Sequence, residues 1–188
     1  MDGNGEDRIL MAEAIRLAAL GLYSTTPNPR VGCVVARDGA IIASGYHRRA
    51  GGAHAEIDAL AGGGRGLAAS TVYVTLEPCS HHGRTPPCAD ALVEAAVARV
   101  VVASEDPNPL VAGEGMRRLR AAGIRVEQGL LEHQARALNP GFFKRMQTGM
   151  PWVRCKLAMS LDGRTAMGCG DSKWITGEAA RQDVQRLR

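Results

Sequence analysis

His54, Glu56, Cys79 and Cys88 are the side chains of this sequence best suited to chemistry. One imidazole and two thiolates match the preference of Zn²⁺ for tetrahedral nitrogen and sulfur sites. Three protein ligands leave a fourth position for water, which is the arrangement of a catalytic centre and not of a scaffold. Zinc brings the pKa of a water there to about 7, so a nucleophile becomes available at neutral pH. Glu56 follows His54 by two positions. In a first helical turn it therefore points away from the imidazole, free to carry protons without ligating. Cys79 follows an expected strand and Cys88 opens an expected helix, where partial positive charge favours a thiolate.

Each residue also has an ordinary reading. Cys79 and Cys88 could be small buried hydrophobes, with His54 on the surface at a helix start. A purely structural zinc site would need a fourth protein ligand, for which His81, His82 or Cys33 are available. The convergence of a histidine, two cysteines and a carboxylate favours catalysis. His54-Ala55-Glu56 with Pro78-Cys79 and a second cysteine resembles the signature of zinc nucleobase deaminases, so the expected reaction is hydrolytic removal of an exocyclic amine from a pyrimidine-type ring. The usual short cysteine spacing is replaced here by the eight residues Ser80 to Pro87. That segment is polar, stiffened by Pro86 and Pro87, and bears His81, His82 and Arg84, as a loop touching an anionic or hydrogen-bonding substrate would. A plain spacer is the alternative.

The elements that must hold these residues follow from periodicity. Apolar positions Ile9, Leu10, Ala14, Ile15, Leu17, Ala18 and Leu22 predict a packed helix over 7–22. Two β-rich runs, 31–36 and 40–46, flank Asp38-Gly39, a pair suited to the positive φ of a hairpin turn. Helix and strand then alternate: helix 53–60, strand 71–76, helix 88–98, strand 100–103, helix 113–122 and strand 124–128. Such crossovers demand a largely parallel back half with helices on both faces. The expected fold class is α/β, a three-layer α/β/α sandwich with a mixed sheet. Gly62 to Gly66 lacks the Lys-Ser/Thr of a phosphate loop and follows a helix, so it reads as a connector. Asn139-Pro140-Gly141 through Gly149-Met150-Pro151 reads as a boundary between units. The domains expected are 1–147 and 148–188, the latter with a strand-like run 152–159, a turn at Leu161-Asp162-Gly163 and a helix from Gly177. That tail is too short to fold alone, and its apolar edges favour self-association, so a homo-oligomer is possible.

Composition sets the partners. The 188 residues, 45% hydrophobic, suffice for one medium core and a remainder. No signal peptide or membrane span is readable, and five scattered cysteines argue against a disulfide framework, so a cytoplasmic location without membrane partners is expected. A net charge of +4 suits an anionic ligand. Few aromatics and no arginine-rich run with stacking residues point away from nucleic acid and toward a phosphorylated metabolite.

The run Thr75-Leu76-Glu77-Pro78-Cys79-Ser80-His81-His82-Gly83-Arg84-Thr85-Pro86-Pro87-Cys88 resembles the deaminase domain of the bifunctional riboflavin biosynthesis deaminase/reductase family. So do Pro27-Asn28-Pro29, Val31-Gly32-Cys33, Gly45-Tyr46-His47 and Asp106-Pro107-Asn108-Pro109. Lys156 to Ala166 and Ser172-Lys173-Trp174-Ile175-Thr176 are similar to the opening of that family's NADPH-dependent reductase domain. The resemblance implies a cytidine deaminase-like fold, zinc on His54, Cys79 and Cys88, and proton transfer by Glu56. It implies substrate contacts at Asn28, His47, His81, Arg84, Asp106 and Asn108. The implied substrate is 2,5-diamino-6-ribosylamino-4(3H)-pyrimidinone 5′-phosphate, deaminated at its ring 2-position. Independently of the family, Asn28 and Asn108 each sit in a stiff Pro-Asn-Pro loop, and Asp106 follows a parallel strand's carboxyl end, where open sheets bind ligands. Ordinary turns are the alternative there. Ala53 stands where the family commonly has proline, which loosens the helix start without removing chemistry. In a complete family enzyme Ala158 and Trp174 would lie at the NADPH site, with Ser172 and Arg188 at the reductase substrate. Little of that domain is present before Arg188, so no independent reductase activity is expected. Deamination of another nucleoside or a tRNA base, or a non-catalytic zinc module, are the competing functions.

Overall fold

Two residues with positive φ, Asp38 (50°) and Gly39 (76°), close the tight hairpin between β1 (Gly32–Arg37) and β2 (Ala40–Tyr46). This computed structural model describes residues 3–64, 66–81, 86–109 and 111–186. Three further strands, β3 (Thr71–Val74), β4 (Arg99–Val102) and β5 (Arg125–Gln128), complete an open sheet of order β2-β1-β3-β4-β5. β1 is antiparallel to both β2 and β3, whereas β3, β4 and β5 run parallel.

Side-chain alternation along the strands sends two apolar sets to opposite faces. Cys33, Val35, Val72, Val74, Val100 and Val102 meet α2 (Ala55–Gly63), α3 (Cys88–Glu94) and α4 (Glu114–Ala121) through Ala55, Ala59, Ala89, Leu92, Met116 and Leu119. On the other face Val34, Ala36, Tyr73, Val101 and Ala103 meet Leu10, Met11, Ala14 and Leu17 of α1 (Gly3–Ala19) and Ala135 of α5 (Glu132–Ala137). The layers are therefore helix, mixed sheet, helix, as the alternating pattern requires. A Cβ on Gly32 would lie 2.0 Å from the Ala14 carbonyl oxygen, so only glycine lets α1 seat on β1.

Two compact units emerge, Met1–Trp152 and Val153–Arg188. The segment 138–150, read as a boundary, instead contains α6 (Pro140–Thr148), with Phe143 buried in the first unit. Asn139-Pro140 starts this helix, since proline at the first helical position loses no intrahelical bond. Residues 151–160, which span the division between the units, form no strand. A strand-like sequence becomes a strand only when a partner satisfies its backbone groups, and these residues have no ladder among the described ones. The expected turn is present, with Gly163 N–H donating to the Ser160 carbonyl at 2.9 Å, and α7 (Glu178–Arg186) follows without a buried residue.

Candidate metal and deaminase site

Three chain segments, the start of α2, the run after β3 and the start of α3, supply the candidate ligands and their carboxyl neighbour. His54 closes the loop after β2 and stands as N-cap of α2, in extended backbone. Glu56 lies in the first turn of α2 and is 3% exposed. Cys79 leaves β3 by way of Glu77-Pro78, and Cys88 is the first residue of α3.

His54 Nδ1 lies 3.2 Å from Cys88 Sγ and 3.6 Å from Cys79 Sγ. Tetrahedral zinc with bond lengths near 2.3 Å to sulfur and 2.0 Å to nitrogen sets N···S at about 3.5 Å, so the donor set fits the ion. Among the described residues these three side chains are the group able to hold a metal, their ligand atoms all within 4.8 Å of one another. Neither Cys33 nor His81 joins them; Cys33 is buried in the sheet core, and His82 falls outside the described residues.

The electrostatics of the site also suit a cation. The Cys79 thiol is pulled well below its ordinary value by hydrogen bonding from the Cys88 thiol and then from His54 and the Cys88 backbone, against the opposing effect of burial. That N–H lies 3.3 Å from Cys79 Sγ. Cys88 is pushed the other way, first by its hydrogen bond with Cys79 and then by burial. The pair thus holds one thiolate easily and resists a second, a conflict that a divalent cation removes. Burial pushes the Glu56 carboxyl up to about 7, where a carboxyl both accepts and releases protons at neutral pH. Its partners include the Cys88 thiol, which places it against the metal ligands without making it one.

Around this centre is a cavity of about 280 Å³. Asn28, His47, His81, Asp106 and Asn108 all line it, together with His54, Glu56 and Cys79. His47 is buried, its Nδ1 2.8 Å from the Ala53 carbonyl and its Nε2 3.2 Å from Asn28 Nδ2. Nδ1–H therefore donates to Ala53 and Nε2 accepts from Asn28, which leaves the Asn28 side-chain carbonyl for a ligand. The His47 ring stands edge-on to His54, centroids 5.7 Å apart. Asp106 is held above its ordinary range by burial, partly offset by the Asn108 N–H that donates to its Oδ1 at 2.8 Å. Arg84 and Arg188 fall outside the described residues. Ala158, Ser172 and Trp174 lie in the second unit, where Ser172 and Trp174 are exposed and the Arg181 guanidinium sits 4.2 Å from the Trp174 ring centroid.

Two wall residues escaped the sequence reading, Val111 and Phe142. Phe142 belongs to α6, and the Asn139-Pro140 start signal was the clue to it. Asn139 ties this helix to the Asn28 loop by pairing with the Arg30 backbone, accepting from N–H and donating to C=O at 2.8 Å each.

A deaminase of the zinc type is what this fold and this cluster define. Residues 5–104 match the cytidine and deoxycytidylate deaminase zinc-binding region, and the chain belongs to that family. Residues 151–188 match the RibD C-terminal domain. The chain is highly similar to riboflavin biosynthesis RibD proteins: 57% identical over 183 residues to that of Escherichia coli, covering 97% of this chain and 50% of the relative. The corresponding figures for the Haemophilus influenzae protein are 55%, 100% and 50%. The structure of Acinetobacter baumannii RibD superposes with a TM-score of 0.92 at 59% identity, over 98% of this chain and 52% of that one. A deaminase/reductase from Thermotoga maritima gives 0.91 at 43%, over 98% and 53%. A cyanophage dCMP deaminase shares the fold alone, at 22% identity and a TM-score of 0.54. The chain spans about half the length of the curated relatives it matches.

Proposed function

We propose that this chain deaminates 2,5-diamino-6-ribosylamino-4(3H)-pyrimidinone 5′-phosphate to 5-amino-6-ribosylamino-2,4(1H,3H)-pyrimidinedione 5′-phosphate, a step of riboflavin biosynthesis. The observation that carries it is the placement of buried Glu56 beside His54, Cys79 and Cys88 in a cavity lined by Asn28, His47, His81, Asp106 and Asn108. His54, Cys79 and Cys88 would hold a zinc ion, which when bound would make water nucleophilic at neutral pH. Glu56 takes the proton released as the carbon–oxygen bond forms at the amine-bearing ring carbon. It passes that proton to the ring nitrogen and then carries the second water proton, from the new hydroxyl, to the amine, so the carbon–nitrogen bond breaks, water is consumed and ammonia leaves. Asn28, held by His47, offers its carbonyl to a ring or sugar donor, and Asp106 and Asn108 fix the opposite side. Arg84, between the two cysteines in the sequence, supplies positive charge for the anionic part of the substrate in this reading, which agrees with the positive net charge.

In the same reading residues 1–147 are the deaminase domain and 148–188 a linker with the opening of a reductase, for which NADPH is the cofactor of the complete domain. Cytoplasmic location and self-association belong to the proposal too, and nucleic acid does not. No helix among the described residues is long and apolar enough to cross a membrane. The test is a comparison of ammonia release from the pyrimidine phosphate, from cytidine and dCMP, and from an adenine-bearing tRNA. Release confined to the first substrate is expected; preferential turnover of any other would transfer the assignment to that substrate.

A further inference from the structure

Glu77 is 4% exposed and is the one charged residue of the segment joining β3 to Cys79. Its carboxylate is fully engaged with backbone. Oε1 accepts from Gly115 N–H at 2.9 Å and Met116 N–H at 3.3 Å, both in the first turn of α4. Oε2 accepts from Gly113 N–H at 3.0 Å and from Asp106 N–H at 3.2 Å. Its own N–H donates to the Ser104 carbonyl at 2.9 Å. One side chain thus joins the segment bearing Cys79, the loop bearing Asp106 and Asn108, and the start of α4. A second contact enforces the same seat: a Cβ on Gly115 would fall 1.9 Å from the Pro78 carbonyl oxygen, so α4 rests directly on the residue before Cys79.

From this geometry we propose that Glu77 is a positioning residue, which fixes the distance between the Cys79 side of the cavity and the Asp106–Asn108 side. Its carboxylate is spent on four N–H groups and acts on the ligand only through the loops it joins. A negative charge suits the task, because an ionised carboxylate accepts at both oxygens and answers the partial positive charge at a helix start. Glu77→Gln keeps size and shape but turns one acceptor into a donor that faces two N–H groups. The Asp106 loop then loses its register while His54, Cys79 and Cys88 stay in place.

This inference rests on the deaminase reading, and its test separates the two. In the full chain, Glu77→Gln and, separately, Gly115→Ala are measured for zinc content, for kcat and KM with the pyrimidine phosphate, and for amide hydrogen exchange. Both variants are expected to keep wild-type zinc and to raise KM by about tenfold or more with kcat changed by less than about threefold. The Asp106 and Gly113 amides of Glu77→Gln are expected to exchange about tenfold faster or more. The double variant is expected to be little worse than either single one, because both changes break one joint. A Glu77→Gln protein with a lower melting temperature but unchanged KM would show a merely structural role and overturn the proposal. If zinc-loaded wild type releases no ammonia, the functional reading fails, and exchange decides the positioning role: unchanged protection at Asp106 overturns it.

Discussion

A carboxyl beside two thiolates and an imidazole has two options, ligation or proton transfer, and the proposed function gives Glu56 the second. It sits two residues past His54 in the first turn of α2, buried, its ordinary acidity suppressed by loss of water. The ligands themselves make a sharper demand. Cys88→Ala leaves His54 and Cys79, too few for tight zinc, so the purified variant should contain less than about a tenth of the wild-type zinc by elemental analysis. Full zinc occupancy in that variant would mean another residue ligates. This part of the site was legible in the sequence because each ligand lies in a short motif whose chemistry is local. His47 and Asn28 were legible as residues, yet their mutual hydrogen bond was not, since nothing in either motif encodes the other's position.

Elements place these side chains, and here the sequence was readable unevenly. The hairpin, the parallel strands and α2 to α4 follow from period and turn chemistry. α6 was hidden by Asn139-Pro140-Gly141, which reads as punctuation when the long-range partner of Asn139 is unseen. The 152–159 run failed in the opposite sense: β-rich composition cannot make a strand without a neighbour. Asn139→Ala removes both part-buried bonds to the Arg30 backbone and should cost about 1–3 kcal/mol in chemical denaturation. KM should rise with it, because the Asn28 loop loses its anchor. Gly32→Ala meets rigid backbone of α1 and should destabilise by about 3 kcal/mol or more. A stability within about 0.5 kcal/mol of wild type would show that α1 shifts freely.

At the scale of the molecule, a charged joint ties the N-terminal helix to the sheet at the end away from the metal ligands' strand termini. Arg99 grips both Asp7 oxygens, at 2.8 and 2.6 Å, and both Glu127 oxygens, at 2.9 and 2.6 Å, while the Tyr73 hydroxyl donates to Asp7 at 2.6 Å. Arg99 first, and Tyr73 also, hold the Asp7 carboxyl below its ordinary range. A depressed folded-state pKa contributes stability that is present above the unfolded value, near 4, and lost as pH falls through the folded one. Melting temperature should therefore drop below about pH 4, and Asp7→Asn should lower it at neutral pH while flattening that acid limb. An acid limb as steep as wild type's in Asp7→Asn would place the effect elsewhere.

The central claim concerns the first unit, and the most direct measurement is ammonia release by zinc-loaded wild type and Glu56→Gln on the pyrimidine phosphate, with zinc content determined in both. Wild type should release ammonia, while Glu56→Gln retains its zinc and loses at least about a thousandfold in kcat. Comparable release by both proteins, or none by a fully zinc-loaded wild type, would contradict the account.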